Sequence, residues 1–164
     1  MSARSWSVLV GMMAVATPAW AKEAGGHLGI ALPLVTVTDP VTVIGADFVN
    51  VGVTPGITVH LNEEWAVDFE FIAFNHWGDD LGVTTFVVDP GVIRKFDGFV
   101  AGMRVATEVG APTNLGLVPI VVKPFSINDK VAYFVEMDVP IFVRDIGDTM
   151  QPSVSLLFQT GFGF

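Results

Sequence analysis

Charged residues that alternate with apolar ones are the residues of this sequence best placed to do chemistry. Asp68 and Glu70 stand two residues apart, as do Glu136 and Asp138, and each pair lies between apolar neighbours. A period of two places such residues on one face of a β-strand. We group the charges of the predicted strands into one network that faces the inside of the protein: Asp68, Glu70, Asp89, Lys95, Arg104, Glu108, Glu136, Asp138 and Arg144.

Two interpretations of this network stay open at the level of sequence. In the first, Lys95, Arg104 and Arg144 offset the carboxylates, and the paired charges close the interior as a structural element. In the second, the surplus carboxylates line a path that prefers cations, because rings of carboxylates create cation selectivity in channels.

Other catalytic chemistries have little support. The histidines, of which no two are adjacent, are His27, His60 and His76. Beyond residue 21 the serines are Ser126, Ser153 and Ser155, and none has a histidine at a spacing that places both on one strand face. There is no cysteine, so thiol nucleophiles, thiolate metal sites and disulfides are excluded. We therefore expect no enzyme activity, no metal site and no cofactor.

Composition narrows the class of protein. The chain has 164 residues, of which 51% are hydrophobic and 15% charged, and its formal net charge is -9. The apolar fraction excludes a disordered chain, and the negative charge disfavours binding to nucleic acid. The length fits a single domain.

The N-terminal residues have the pattern of a secretory signal peptide. Arg4 precedes an apolar run from Trp6 to Ala16, which is too short to span a bilayer as a helix, and the triplet Ala19-Trp20-Ala21 follows. We expect cleavage after Ala21, which leaves residues 22–164 as one exported domain.

The rest of the chain alternates between apolar and small or polar residues, and this pattern predicts antiparallel β-strands. The predicted strands are Gly26–Val37, Ala46–Leu61, Trp65–Phe74, Gly82–Phe96, Phe99–Glu108, Leu117–Ile127, Val131–Arg144 and Pro152–Phe164. Their even number places both ends of the domain on the same side as the tight turns.

Short and long connections alternate between these strands. Tight turns are predicted at 62–64, 97–98 and 128–130, and longer loops at 38–45, 75–81, 109–116 and 145–151. Two Pro-Gly pairs, Pro55-Gly56 and Pro90-Gly91, fall within strands in similar local sequences. Proline lacks a donor for the ladder, so we expect a bulge or bend at each pair.

Periodicity alone does not decide which solvent the apolar face meets. A soluble barrel turns this face inward, whereas a membrane barrel turns it outward. Aromatic residues favour the membrane barrel, since those next to the tight turns form one girdle at a common height. The girdle residues are Trp65, Phe96, Phe99, Tyr133, Phe162 and Phe164.

The C-terminal segment carries a resemblance to a known family. Leu156, Phe158, Phe162 and Phe164 alternate, and the chain ends on the last of them. This pattern resembles the terminal strand of bacterial outer-membrane barrels, of which the eight-stranded OmpA-, OmpX- and OmpW-type proteins are the most similar. The resemblance implies an all-β, eight-stranded, antiparallel up-and-down transmembrane barrel, and recognition of its terminal strand by the barrel assembly machinery.

The expected protein is therefore an outer-membrane barrel of a Gram-negative bacterium with a closed lumen, exposed loops and a structural or surface-interaction role. Trp77, in the predicted loop 76–80, is the best candidate for a surface contact. Expected partners are outer-membrane lipids and the assembly machinery, and we expect a monomer.

Two alternatives remain. One is a narrow channel for small or amphipathic solutes, lined by Asp68, Glu70, Arg104, Glu136, Asp138 and Arg144. The other is a soluble periplasmic lipid-binding barrel with the same alternation turned inside out.

Overall fold

The computed structural model describes residues 23–38, 40–44, 49–77, 84–110, 114–146 and 149–164, so the predicted signal peptide lies outside the described residues. All regular structure in these ranges is β. The strands are β1 Glu23–Thr38, β2 Val41–Ile44, β3 Val49–His60, β4 Trp65–Trp77, β5 Thr84–Phe96, β6 Phe99–Glu108, β7 Leu115–Ser126, β8 Ala132–Asp138, β9 Ile141–Ile146 and β10 Thr149–Gly163. Within the same ranges, no helix has the length and hydropathy needed to cross a membrane.

The strands form a closed antiparallel barrel with eight strand positions around its wall, and we call each position a stave. Strand β1 pairs with β3, consecutive strands pair from β3 to β8, and β10 pairs with β8 and returns to pair with β1. Two staves are each built from two strands. β2 and β3 both pair with β1, and β8 and β9 both pair with β7 and β10. The predicted fold class is confirmed, and the pairing of β1 with β10 closes the sheet.

The stave predicted as one strand at 131–144 is interrupted at Val139 and Pro140. The backbone N–H of Val139 donates to the Pro119 oxygen at 3.0 Å, and the N–H of Ser155 donates to the Pro140 oxygen at 2.9 Å. Proline has no N–H to offer, so the ladder breaks at this point although the stave continues.

The connections opposite the tight turns are shorter than predicted. Strand β2 lies within the predicted loop 38–45, β4 extends to Trp77, β7 begins at Leu115, and β9 and β10 extend into 145–151. The backbones of His76 and Trp77 are therefore part of a strand and not of a loop. Gly, Asn and Asp in these segments indicated turns, but each segment has a neighbouring strand that satisfies its backbone groups.

The three tight turns lie where the sequence predicts them. Asn62 Oδ1 accepts the backbone N–H groups of Glu64 and Trp65, and Asn128 Oδ1 accepts those of Lys130 and Val131. Gly98 has φ +81°, a conformation that favours glycine. Asx chemistry and one left-handed glycine thus define this end of the barrel, the turn end; the opposite end is the loop end.

The prediction of bulges at the Pro-Gly pairs is wrong. The register of β3 with β4 is the same on both sides of Pro55, and that of β5 with β6 is the same on both sides of Pro90. Each proline removes ladder pairs on one side only. The described register shift near a strand proline lies in β1, between Pro33 and Val35. It turns Thr36 and Thr38 inward, where their hydroxyls bond Ser155 and Ser153 at 2.9 Å.

The apolar face of the strands points outward. Leu28, Ile57, Phe69, Val105 and Val121 are between 44% and 57% exposed. The opposite face turns inward and buries Asp68, Glu70, Arg104, Glu136 and Gln159 at 3% exposure or less. This is the arrangement of a membrane barrel, and it overturns the soluble lipid-carrier alternative, which requires the apolar face inside.

Two inward-facing glycines make room for large polar side chains of the next strand. Gly56 lies opposite His27 in the register of β3 with β1, and Gly91 lies opposite Arg104 in that of β5 with β6. A Cβ at residue 91 would approach the Met103 oxygen to 2.5 Å and the Arg104 Cα to 2.8 Å. The neighbouring backbone therefore has to move to accept any larger residue there.

We expect Gly91→Ala to lower the free energy of unfolding by about 1–3 kcal/mol, because the added methyl group overpacks against backbone atoms. Urea unfolding in detergent micelles measures the change. Gly163→Ala is the matched control, since its Cβ would meet only the Gly26 oxygen at 3.9 Å. Equal stability of the two variants would contradict the close packing at residue 91.

Candidate functional site: a charged layer across the barrel

The structure gathers most of the predicted inward charges at one height of the barrel. Each of these side chains belongs to the alternate residues of its strand that point inward, and each is at most 3% exposed. They come from β4, β5, β6 and β8: Asp68, Glu70, Asp89, Arg104, Glu136 and Asp138. Inward-facing charged residues of four separate strands thus meet at one cross-section of the barrel.

Arg104 lies at the centre of this group. Its Nη2 lies 2.6 Å and its Nε 2.9 Å from Asp68 Oδ2, while Nη1 contacts Glu70 Oε1 at 3.1 Å and Glu136 Oε1 at 2.9 Å. Asp89 Oδ2 is farther away, at 4.0 Å from Nη1. The planar guanidinium has five donors, so it bonds several carboxylates at once. We call these five residues the Arg104 cluster.

Histidine, glutamine and threonine side chains complete the layer. His27 Nε2 lies 3.0 Å from Glu70 Oε2, and Gln159 Nε2 donates to the same oxygen at 2.6 Å. The Thr58 hydroxyl donates to Asp68 Oδ1 at 2.6 Å. With these partners, β1, β3, β4, β5, β6, β8 and β10 all contribute to the layer, which therefore crosses the lumen from wall to wall.

Cavities lie on both sides of the layer. The loop-side cavity measures about 590 Å³ and is bounded towards the layer by Asp89 and Asp138. The turn-side cavity measures about 260 Å³ and is bounded by Asp68, Arg104 and Glu136. The Arg104 cluster therefore separates two spaces inside the barrel.

Glu108 and Arg144 form a second ion pair nearer the loop end. Arg144 Nη1 lies 2.5 Å from Glu108 Oε1, and its guanidinium stacks over Phe142 at 4.7 Å from the ring centroid. The Asn114 amide also donates to Glu108. Lys95 lies apart from both groups, exposed beside the turn at 97–98.

The predicted girdle residues flank the turn end. Phe96 and Phe99 stack at 4.9 Å between ring centroids, and Tyr133 meets Phe162 edge-on at 5.7 Å. Arg94 was not predicted here. Its guanidinium lies over the rings of Trp65 and Phe96, at 5.4 and 5.1 Å, and bonds Glu64 at 2.9 Å. Amphipathic rings next to a cation suit the headgroup region of a bilayer.

Three of the residues predicted as an assembly signal share the outward face of β10, and Phe164 directly follows the strand. Leu156 and Phe158 are half-buried, and Phe162 is 50% exposed. Phe164 joins the seam with β1, because it exchanges two backbone hydrogen bonds with Gly26 at 2.7 and 2.8 Å. The Phe164 ring lies against Gly26 in the space a Cβ would occupy.

Sequence reasoning missed the apolar lining of the loop-side cavity. Ile72, Val87, Val118, Phe142 and Leu157 all face inward and are at most 5% exposed. A signal for them exists, since Ile72 follows Glu70 by two residues and Val87 precedes Asp89 by two. The inward phase that marks the charges therefore also marks these apolar residues.

The residues with catalytic or metal-binding potential are used structurally. Ser153 and Ser155 bond threonines of β1, and the Ser126 hydroxyl donates to the Asn128 oxygen. In the part of the chain that the structure describes, no group of three or more acidic or histidine side chains is arranged to hold a metal ion.

Comparisons with solved structures identify the class of fold. Ail, the attachment invasion locus protein of Yersinia pestis, has a TM-score of 0.50 at 12% identity over 86% of this chain and 97% of its own. Ail in complex with the heparin analogue sucrose octasulfate gives 0.50 at 11% over 87% and 99%. The outer membrane protein OprG of Pseudomonas aeruginosa gives 0.48 at 10% over 87% and 95%.

The chain thus has the fold of the eight-stranded outer-membrane barrels. No protein-family model matches its sequence, and no curated protein does. At such low identity the likeness concerns the fold, so the function has to be argued from this chain's own residues.

We expect Arg104→Met to lower the free energy of unfolding by about 3–5 kcal/mol, since it leaves buried carboxylates without their cation. Arg94→Met is the control. Its side chain is 43% exposed, and removing its ion pair with Glu64 should cost about 1 kcal/mol or less. Urea unfolding followed by tryptophan fluorescence compares the two.

A compensating variant makes this test specific to charge. Adding Asp68→Asn and Glu136→Gln to Arg104→Met removes two of the three carboxylates that bond Arg104, so part of the lost stability should return. If Arg104→Met is no more harmful than Arg94→Met, the cluster does not stabilise the barrel.

Proposed function

We propose that this protein is an integral barrel of a Gram-negative outer membrane that has a closed lumen and acts in a structural or surface-interaction role at its loop end. The observation that carries the proposal is the Arg104 cluster. It crosses the lumen with buried, mutually bonded side chains, and an eight-stranded barrel has little spare width.

The proposed location has two supports. The first 21 residues have the pattern of a cleaved export signal, and the outward apolar face with its turn-end girdle suits a bilayer. We also propose that the protein is a monomer, because β1 and β10 close the sheet without a second copy. The structural use of the serines supports a role without catalysis.

The surface partner we propose is not a polyanion. Ail has been crystallised with a heparin analogue, which is a highly sulfated sugar. This chain carries a formal net charge of -9, so a sulfated polymer would meet long-range repulsion. The shared fold therefore gives no reason to propose that this protein binds sulfated polymers.

A narrow channel for small solutes is the second candidate. Its support is the pair of cavities, about 590 and 260 Å³, that approach the Arg104 cluster from opposite ends. Movement of this one layer of side chains is all that the channel would require. The surplus of carboxylates would then favour cations.

Conductance in a planar bilayer separates the two candidates. We expect the folded, inserted protein to show no discrete conductance steps, because the cluster blocks the lumen. Combining Asp68→Ser, Glu70→Ser and Arg104→Ser should remove the block and produce steps, whereas Glu63→Ser, Glu64→Ser and Arg94→Ser at the turn end should stay silent. Steps in the unaltered protein that fall with Glu136→Gln would establish the channel instead.

We also propose that the barrel assembly machinery recognises β10. The supports are the alternating outward residues Leu156, Phe158, Phe162 and Phe164 and the place of Phe164 at the β1–β10 seam. Because this seam closes last in a barrel built from consecutive hairpins, a factor that holds β10 would control closure.

We expect Phe164→Ala to slow folding several-fold into proteoliposomes that contain the assembly machinery, but not into detergent micelles. Phe125→Ala is the matched control, since Phe125 is 48% exposed at the same end of the barrel, on β7. Gel migration of unheated samples follows folding. Equal slowing of both variants would mean that exposed aromatic residues at the turn end in general, and not β10, are recognised.

A further inference from the structure

The loop-side cavity has apolar walls and an acidic floor, and this combination selects one class of ligand. We propose that it binds an organic ammonium ion whose positively charged head meets Asp89 and Asp138 and whose compact apolar body fills the space above them. The inference deepens the proposed loop-end function, on which it rests, by naming the chemistry that this end of the barrel recognises.

The walls supply the apolar part of the site. Ile72 and Val87 face each other across the β4–β5 pair one step above Glu70 and Asp89, and Phe142 and Leu157 lie on neighbouring staves. The volume of about 590 Å³ is within the range of small-molecule pockets. The apolar part of the wall offers water few hydrogen bonds, so an apolar body replaces water there favourably. Hydroxyl groups line the β1–β10 side of the cavity, where Thr36 and Thr38 bond Ser155 and Ser153.

The floor supplies the polar part. Asp89 and Asp138 are each 1% exposed, and both line the cavity. Among the described residues, Oδ1 of each has no hydrogen-bond partner. A buried carboxylate oxygen without a donor is costly, and an ammonium group offers both N–H donors and the opposite charge.

The charges around the cavity disfavour ligands that have an anionic head. Arg144 is the cation in the lining, and it is already bonded to Glu108 at 2.5 Å. Asp89 and Asp138 are therefore the carboxyl groups of the lining that have no cation of the lining bonded to them. An amphiphile with a carboxylate or phosphate head would be repelled from the floor, so selectivity follows from the sign of the charge.

Titration with three compounds that share one apolar cage tests the proposal. The protein is placed in phospholipid nanodiscs, and 1-adamantylamine, 1-adamantanol and adamantane-1-carboxylate are titrated in turn by calorimetry, with empty nanodiscs as the blank. We expect the amine to bind at least about tenfold more tightly than the alcohol, because its head is charge-assisted, and the carboxylate to bind least.

Variants connect this binding to the site. Asp89→Asn with Asp138→Asn should remove the preference for the amine, because its affinity should fall much more than that of the uncharged alcohol. These changes reduce an excess of buried negative charge, so the barrel should fold. The matched control, Glu63→Gln with Asp129→Asn, removes two exposed charges at the turn end and should keep the preference.

Ala106→Leu gives an independent measurement, because it narrows the cavity without touching a charge. It should weaken binding of the amine and of the alcohol alike. The proposal is overturned if all three compounds bind equally, or if the amine keeps its preference in the Asp89→Asn, Asp138→Asn variant. A barrel that is silent in the conductance measurement and binds no amine would refute this site while leaving the closed-barrel function intact.

Discussion

The interior of the barrel depends on one guanidinium group, that of Arg104, which is surrounded by carboxylates. Asp68, Glu70 and Glu136 all bond Arg104, and Asp89 lies 4.0 Å away. Charges buried this deeply are tolerated only when they are paired and hydrogen-bonded. A lysine could not replace the arginine, since a single ammonium lacks the planar set of donors that reaches three carboxylates. The position of Arg104 on β6 therefore sets the height at which this layer of side chains crosses the lumen.

The Arg104 cluster divides the interior into regions of different polarity. Towards the turn end the space is small and bordered by Asp68, Arg104 and Glu136. Towards the loop end it is larger, and its walls are mostly apolar. A narrow barrel normally fills its interior with side chains, but here the bonded layer carries the cross-strand contacts and leaves room on either side. The layer thus leaves on its loop side a space large enough to hold a small molecule.

The sequence was sufficient to predict the barrel, its tight turns and most of the inward charges, because a strict period of two carries this information locally. It was not sufficient where the structure depends on pairing between strands that are far apart in the sequence. The shift between Pro33 and Val35 depends on β10, and the extension of β4 to Trp77 depends on β3. Lys95 shares the inward phase of Asp89 but lies at the exposed mouth, since period alone does not report height along the barrel.

The Pro-Gly pairs show how a local irregularity can serve a distant contact. Each pair keeps the strand register, so its effect lies in the missing side chain of the glycine. Gly56 lies opposite His27 and Gly91 opposite Arg104, and in both places a Cβ would collide with the facing residue. Both of those facing side chains reach the same residue, Glu70. The glycines of the repeated motif therefore leave space at two points of the wall, so that two polar side chains reach one carboxylate in the layer that crosses the lumen.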